Sequence, residues 1–263
     1  TVNFSTAGTY TLKWVYDRTA TGAGVPDQNA WVDDIEMEAS VTLGRAVNIS
    51  NYGQMVNLPN LDMNGSRTLS AWVKFPMPAT SNGFRTVFAG AGSGRNDHVR
   101  FDSAGMLGMT IGGTNYNTTF DADTLSAGWH HVASVSTGGQ TTFYVDGVDR
   151  GVVSAQLTGV AVSAIGNNPS YWYENVGQVD EAALFGRALN ATEIADLADD
   201  KLDGTEPDLM AFYSFDDDTA KDKSPNGKHG TLYNGPAFAD NPKTVTENLP
   251  TQTFSGYTIW VDG

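Results

Sequence analysis

Read for period, most of this chain alternates apolar and polar residues, as a strand with one buried face does. Thr68-Leu-Ser-Ala-Trp72-Val-Lys-Phe75 puts Leu69, Ala71, Val73 and Phe75 on one face and Trp72 on the other. Trp129-His-His-Val-Ala-Ser-Val135 and Thr141-Thr-Phe-Tyr-Val-Asp146 alternate in the same way. Asp146-Gly147 follows one such run and precedes another, which predicts a type I′ hairpin turn. Short strands broken by Gly, Asn or Ser recur along residues 41–185, the pattern of an antiparallel sandwich or jelly roll. One helix is expected, over Asn190-Ala-Thr-Glu193-Ile-Ala-Asp-Leu-Ala198. Its Asn-x-x-Glu start reads as a capping box, and Ile194 and Leu197 are spaced to face a core. The expected fold class is all-β with one short helix.

The ends read differently from the middle. Residues 1–38 hold two strand-like runs, Tyr10-Thr-Leu-Lys-Trp14-Val-Tyr16 and Ala30-Trp31-Val-Asp-Asp-Ile35, around a Gly/Thr/Pro loop. Residues 241–263 open on a polar Pro/Thr/Asn stretch and end on Gly256-Tyr-Thr-Ile-Trp260-Val-Asp-Gly263. Each flank alone is too short to bury a core, so the expected organisation is a central domain over 39–240 between two β flanks. The flanks either pair with each other or belong to neighbouring modules.

Composition narrows the class of partner. Asp and Glu total 30 against 15 Lys and Arg, a net charge of −15, and there is no cysteine. That balance argues against nucleic acid, because phosphate binding needs clustered Lys and Arg. Without cysteine there are no disulfides, no Cys-ligated zinc and no thiol nucleophile. No apolar run approaches the roughly 20 residues that span a bilayer, so membrane insertion is not expected. The chain opens without Met or a signal peptide, and a mature piece or fragment of a larger protein is the expectation.

Several of these runs coincide with one known family. Leu43-Gly-Arg-Ala-Val47, Met55-Val-Asn-Leu58 and Thr68-Leu-Ser-Ala-Trp72-Val resemble the opening of a laminin G-like, pentraxin-like jelly roll. Trp129-His-His-Val-Ala133, Phe143-Tyr-Val-Asp-Gly147, Ile165-Gly166, Val179-Asp-Glu181, Arg187-Ala-Leu189 and Glu193-Ile194 follow in the family's order. The resemblance covers roughly 41–198 and implies the concanavalin A-like fold of two curved antiparallel sheets. It also implies an extracellular or cell-surface module that binds carbohydrate or protein, often with calcium. One block is displaced. Leu209-Met-Ala-Phe-Tyr213-Ser-Phe215-Asp216 and Asp222-Lys-Ser-Pro-Asn226-Gly227 look like the family's first strand and loop, yet they follow the helix. Either a second copy starts near 208, or the jelly roll is circularly permuted with its usual first strand at 208–216. Permutation is the expectation, because residues 239–263 repeat neither the Gly-Arg-Ala-Val nor the Leu-Ser-Ala-Trp block.

The charge is unevenly placed: ten of the thirty acids fall within the 27 positions from Asp196 to Asp222. Clustered carboxylates with Asn, Gly and Ser suit calcium, a hard cation that takes six to eight oxygens. The resemblance puts a shared calcium site at Asp180 and the loop Asp222–Gly227, Asn226 included, with Asp216 as a further ligand. Residues 196–208 read as a solvated acidic linker. Tyr171-Trp172-Tyr173-Glu174, after Asn167-Asn168-Pro169-Ser170, cannot turn all three rings into one strand face, so at least one is expected to be exposed. Flat rings beside amide and carboxylate groups suit a sugar, whose apolar face stacks while its hydroxyls hydrogen-bond. The polar loop Gly92-Ser-Gly-Arg95-Asn96-Asp97-His98 is a second candidate rim. The expected ligand set is therefore Tyr171, Trp172, Tyr173, Asn167, Arg95 and Asn96.

Adjacent His130 and His131 point to opposite strand faces and cannot chelate one metal together. Some β-glucanases of this fold carry carboxylates spaced Glu-x-Asp-x-x-Glu, which work as an acid and a nucleophile. The matching run here, Gln178-Val-Asp180-Glu181-Ala-Ala183, has Gln and Ala at the two working positions. No Gly-x-Ser-x-Gly elbow or comparable triad context is legible. The functional expectation is a non-catalytic, calcium-supported carbohydrate-binding or adhesion module of a secreted or cell-surface bacterial protein. The alternatives are a structural spacer or protein–protein module without glycan binding, and a glycoside hydrolase or lyase.

Overall fold

The structure, a computed structural model, describes residues 39–42, 44–92, 94–199, 201–241 and 244–247. The strand-like runs expected within 1–38 and 256–263 lie outside these residues. In chain order the elements are β1 (Ala39–Thr42), β2 (Arg45–Ile49), β3 (Met55–Leu61), β4 (Arg67–Phe75), β5 (Arg85–Gly90) and β6 (Asp97–Phe101). There follow β7 (Met106–Ile111), β8 (Thr114–Asp121), a short 3-10 turn (Ala122–Thr124), β9 (Gly128–Thr137), β10 (Gln140–Val145), β11 (Val148–Val153) and β12 (Val162–Ile165). The remainder are β13 (Gly177–Phe185), α1 (Ala191–Ala198), β14 (Leu209–Tyr213), β15 (Thr231–Tyr233), β16 (Ala237–Asp240) and β17 (Thr244–Glu247).

Two compact units divide the chain, one over 44–241 and one formed by 1–43 with 242–263. Of the second, β1 and β17 form an antiparallel pair in which Ala39 faces Glu247 and Thr42 faces Thr244. The larger unit is a sandwich of two antiparallel sheets. One runs β11-β10-β9-β4-β13-β2-β16, with β14 also on β13, and the other runs β15-β3-β12-β5-β6-β7-β8.

The period-2 pattern of β4 sets this geometry. Leu69, Ala71, Val73 and Phe75 enter the core between the sheets, where they meet Phe88, Val99, Phe101, Leu107, Val132 and Val179. A second, smaller core lies on the other face of the same sheet. There Ile194 and Leu197 of α1 pack on Ala133, Val135, Ala183, Phe185, Leu209 and Phe212. Each of those two helix side chains gains about 1.5–3 kcal/mol from burial. The Asn190–Glu193 capping box is formed in full, and both Asp146 and Gly147 have the positive φ of a type I′ turn.

The displaced block joins both sheets. Its strand β14 pairs with β13, Ala182 opposite Tyr213, and β15 pairs with β3. Strand β13 exchanges partners midway: residues 177–179 bond β2 and residues 182–185 bond β14. Asp180 lies at that exchange, in a bulge against β4 where Glu181 has φ +49°. Its fully buried carboxylate accepts the Glu181 amide at 2.8 Å and the Asn241 side-chain amide at 2.6 Å. A buried carboxylate satisfied in this way stabilises an irregular backbone that ladder bonds alone would leave open.

Candidate functional site

The segment between β12 and β13 is built around Asn167, which is fully buried. Its amide nitrogen donates to the carbonyls of Gln54 at 3.1 Å and Trp172 at 3.0 Å, and to Asn175 Oδ1 at 3.3 Å. Its oxygen accepts from the backbone amides of Asn168 at 2.8 Å and Glu174 at 2.9 Å. With every donor and acceptor engaged, Asn167 is placed as the organiser of this loop and not on its surface.

The loop delivers its aromatic side chains beside a second turn. Gly53 donates its amide to the Trp172 carbonyl at 2.6 Å. It has φ +72°, and a Cβ there would stand 2.9 Å from the Trp172 ring, so the close approach requires glycine. Trp172 packs its base on Met55, Ala89 and Ala164. Around it stand Tyr52, 69% exposed, Tyr173 at 36% and Tyr233 at 37%. The Tyr52 ring lies 6.5 Å from Trp172 at 22° and 6.5 Å from Tyr173 at 26°, and Tyr233 tilts 58° to Trp172 at 5.4 Å. Four rings from three separate stretches of chain thus form one exposed aromatic surface, with Trp172 and Tyr173 each close to parallel with Tyr52.

Beneath the loop lies a charged network. Glu174, fully buried, accepts from Thr86 Oγ1 at 2.8 Å, Asn82 Nδ2 at 2.9 Å and Arg95 Nη2. Arg95 also reaches Asp97 at 3.2 Å, and Asp97 accepts from Asn168 Nδ2 at 2.6 Å. Burial raises the Glu174 carboxyl above its ordinary range, and Asp97 adds to that. The bonds from Thr86, Arg95 and Asn82 oppose it. The Arg95 guanidinium lies 3.6 Å over the Phe84 ring and 5.2 Å from the Tyr171 ring. Arg95 and Tyr171 therefore brace the loop from below, while Asn96 Oδ1 holds the Gly112 amide at 2.9 Å. Of the six residues expected to meet a ligand, Trp172 and Tyr173 are the two on the aromatic surface. Tyr52 and Tyr233 lie 120 and 61 residues from Trp172 along the chain, and only the fold unites them with it.

The four residues expected to share calcium have separate partners. Asp222 is buried and accepts three backbone amides, from Phe212 at 2.9 Å, Ser224 at 2.9 Å and Lys228 at 2.7 Å. Asn226 donates to the Leu209 carbonyl at 2.7 Å, closing the same turn. Asp216 is exposed and accepts the Arg45 amide at 3.1 Å, and Asp180 is engaged at the β13 bulge. Among the described residues, no three His, Cys, Asp or Glu side chains converge as a metal-holding group. Asp196, Asp199 and Asp217 pair with Lys201, Lys221 and Lys223, as charges on a solvated surface do.

A family model described as the concanavalin A-like lectin/glucanases superfamily matches residues 48–195. Among solved structures, the chain is similar to a putative carbohydrate binding protein from Bacteroides ovatus, with a TM-score of 0.58 and 21% identity over 78% of this chain. The match takes in 62% of that protein's length. A heptameric SAP-like pentraxin from Limulus polyphemus matches at a TM-score of 0.45 and 13% identity, over 77% of this chain and 94% of that one. A Trypanosoma rangeli sialidase in complex with sialic acid matches at 0.43 and 16%, over 61% of this chain and 27% of that one. A search of curated proteins finds no match.

Proposed function

The chain belongs to the concanavalin A-like lectin/glucanase superfamily, and we propose that it is a carbohydrate-binding module whose ligand stacks on Tyr52, Trp172, Tyr173 and Tyr233. The observation that carries this reading is the exposed, near-parallel set of rings around Trp172. A soluble domain gains nothing in stability by holding three tyrosines partly in water, and grouped exposed aromatics are what a pyranose face requires. Asn51, Ser170 and Asn234 flank the rings in sequence and supply amide and hydroxyl groups for orientation. The buried Glu174–Arg95–Asp97 network fixes the loop before ligand arrives, which lowers the entropy lost on binding.

The glucanase carboxylate pair is replaced by Gln178 and Ala183 in β13, and the role proposed for the ring surface is binding. Asp222 and Asp180 already have their oxygens occupied by amides, so binding at the rings is proposed to proceed without calcium. The module is proposed to work outside the cell or on its surface, within a longer chain, which fits an acidic, cysteine-free β-domain. A glycan array probed with the full chain tests the reading. Tyr52→Ala and Trp172→Ala are each expected to weaken binding to the positive polysaccharide about 30-fold, corresponding to roughly 2 kcal/mol per lost ring. An array without hits, or hits indifferent to both substitutions, would overturn it.

A further inference from the structure

A second cluster, sharing no residue with the aromatic surface, sits where the chain enters β9. Ser126 is exposed in the turn before that strand, His130 lies within it, and Asp146 is the left-handed turn residue between β10 and β11. Asp146 Oδ1 accepts the His131 backbone amide at 3.0 Å, which fixes the carboxylate. Its other oxygen lies 2.7 Å from His130 Nδ1. A carboxylate only accepts, so Nδ1 carries the proton and the neutral ring presents a lone pair at Nε2. Nε2 lies 3.3 Å from Ser126 Oγ and 3.1 Å from the Ser126 carbonyl. The hydroxyl can donate to the neutral ring, and the carbonyl can accept from the ring once it is protonated.

A cleft accompanies the cluster. The Phe75 ring meets His130 edge-on at 5.5 Å and 85°. Phe75, Met77, Arg85, Asp123 and Leu125, the residue before Ser126, line a cleft of about 160 Å³. That is near the roughly 150 Å³ of an engineered cavity that admits benzene, so an acyl group of a few carbons fits.

We propose that Ser126, His130 and Asp146 hydrolyse small acyl esters, with Ser126 as nucleophile, His130 as base and Asp146 as the positioning residue. Ser126 Oγ bonds to the ester carbonyl carbon as its proton passes to His130 Nε2. The tetrahedral adduct collapses, the carbon–oxygen bond to the alcohol breaks, and the alcohol leaves with the proton from Nε2. Water then attacks the acyl-serine and gives a proton to Nε2. The carboxylic acid departs, and Ser126 Oγ recovers that proton. The order of roles is that of serine hydrolases, reached here on a jelly-roll strand and turn.

The full chain is treated with a fluorophosphonate, and the modified peptide is located by mass spectrometry. In parallel, hydrolysis of p-nitrophenyl acetate is followed at neutral pH. One adduct is expected on Ser126 in the folded protein and none in urea. Ser126→Ala and His130→Gln are each expected to slow ester hydrolysis about 100-fold, the scale of general-base assistance. Asp146→Asn keeps an acceptor for the His131 amide but donates to Nδ1, which puts the proton on Nε2. It is expected to lose labelling at neutral pH with its melting temperature within a few degrees of wild type, and its rate should track hydroxide across the pH range. Absence of the Ser126 adduct, labelling indifferent to His130→Gln, or a Ser126→Ala protein as active as wild type each overturns the proposal.

Discussion

His98, in β6, is 2% exposed, and burial is the main force against its protonation, with the nearby Arg67 guanidinium adding to it. The two lower its pKa from 6.5 to about 3. In the unfolded chain the ring takes up a proton as pH falls below 6.5, while the folded ring refuses it until about 3. The unfolded state therefore binds more protons throughout that window, and stability falls as pH falls. The slope approaches one proton's worth of free energy per pH unit, which integrates to about 2–3 kcal/mol between pH 6 and pH 4. Other groups titrate in the same range. Glu174, raised by burial, contributes in the opposite sense, since its ionisation cost disappears on acidification. Asp217 and Glu193, held low by Thr219 and Lys223 and by Arg187, lose their contribution mainly at the acid end. A substitution that removes only the ring isolates its share. His98→Asn carries a pH-independent packing cost, so urea unfolding followed by tryptophan fluorescence at each pH gives two profiles whose difference reports His98. The wild type should lose about 2–3 kcal/mol more than the variant from pH 6 to pH 4. Parallel profiles would refute the assignment of a buried neutral ring.

Two further outcomes follow from single side chains. Asp222→Asn sets an amide group against at least one of three backbone donors and should cost about 1–3 kcal/mol in thermal unfolding. The loss should be equal in calcium and in chelator, and a wild-type calcium stabilisation that this variant abolishes would show the carboxylate to be a ligand. Gly53→Ala forces a Cβ to within 2.9 Å of Trp172 at φ +72°. It should lower affinity for the array-identified glycan about tenfold, or roughly 1.4 kcal/mol, with a smaller effect on melting than on binding.

The framework was legible because strands and turns write themselves locally. Alternation placed Leu69, Ala71, Val73 and Phe75 in the core, and the Asn190–Glu193 cap and the Asp146-Gly147 turn carry their own chemistry. The aromatic surface was only half legible. Tyr171-Trp172-Tyr173 is conspicuous, but no periodicity links it to Tyr52 or Tyr233, which arrive through the pairing of β15 with β3. Acidic composition is ambiguous in another way. A carboxylate that caps three amides and one that binds a cation are the same residue type in the same Asn/Gly/Ser surroundings, and only the directions of the Phe212, Ser224 and Lys228 amides distinguish them.

The Ser126 cluster marks the boundary of what register arithmetic can reach. Gly138-Gly139 makes a two-residue turn, so Thr137 faces Gln140 and each step outward keeps the two residue numbers summing to the same value. That places Val132 opposite Val145 and Asp146 beside His131, as the ladder and the 2.9 Å bond from the Asp146 amide to the His131 carbonyl show. Strand alternation then sends His131 toward Ser70 and Trp72 on one face, and leaves His130 on the other within reach of the turn carboxylate. The His–Asp pair was thus derivable from two glycine turns. Ser126 was not, because it belongs to an irregular turn between the 3-10 segment and β9, where no repeat fixes the path. The third member of a catalytic set is the one a sheet's own regularity does not place, and its hydroxyl is where the labelling experiment reads.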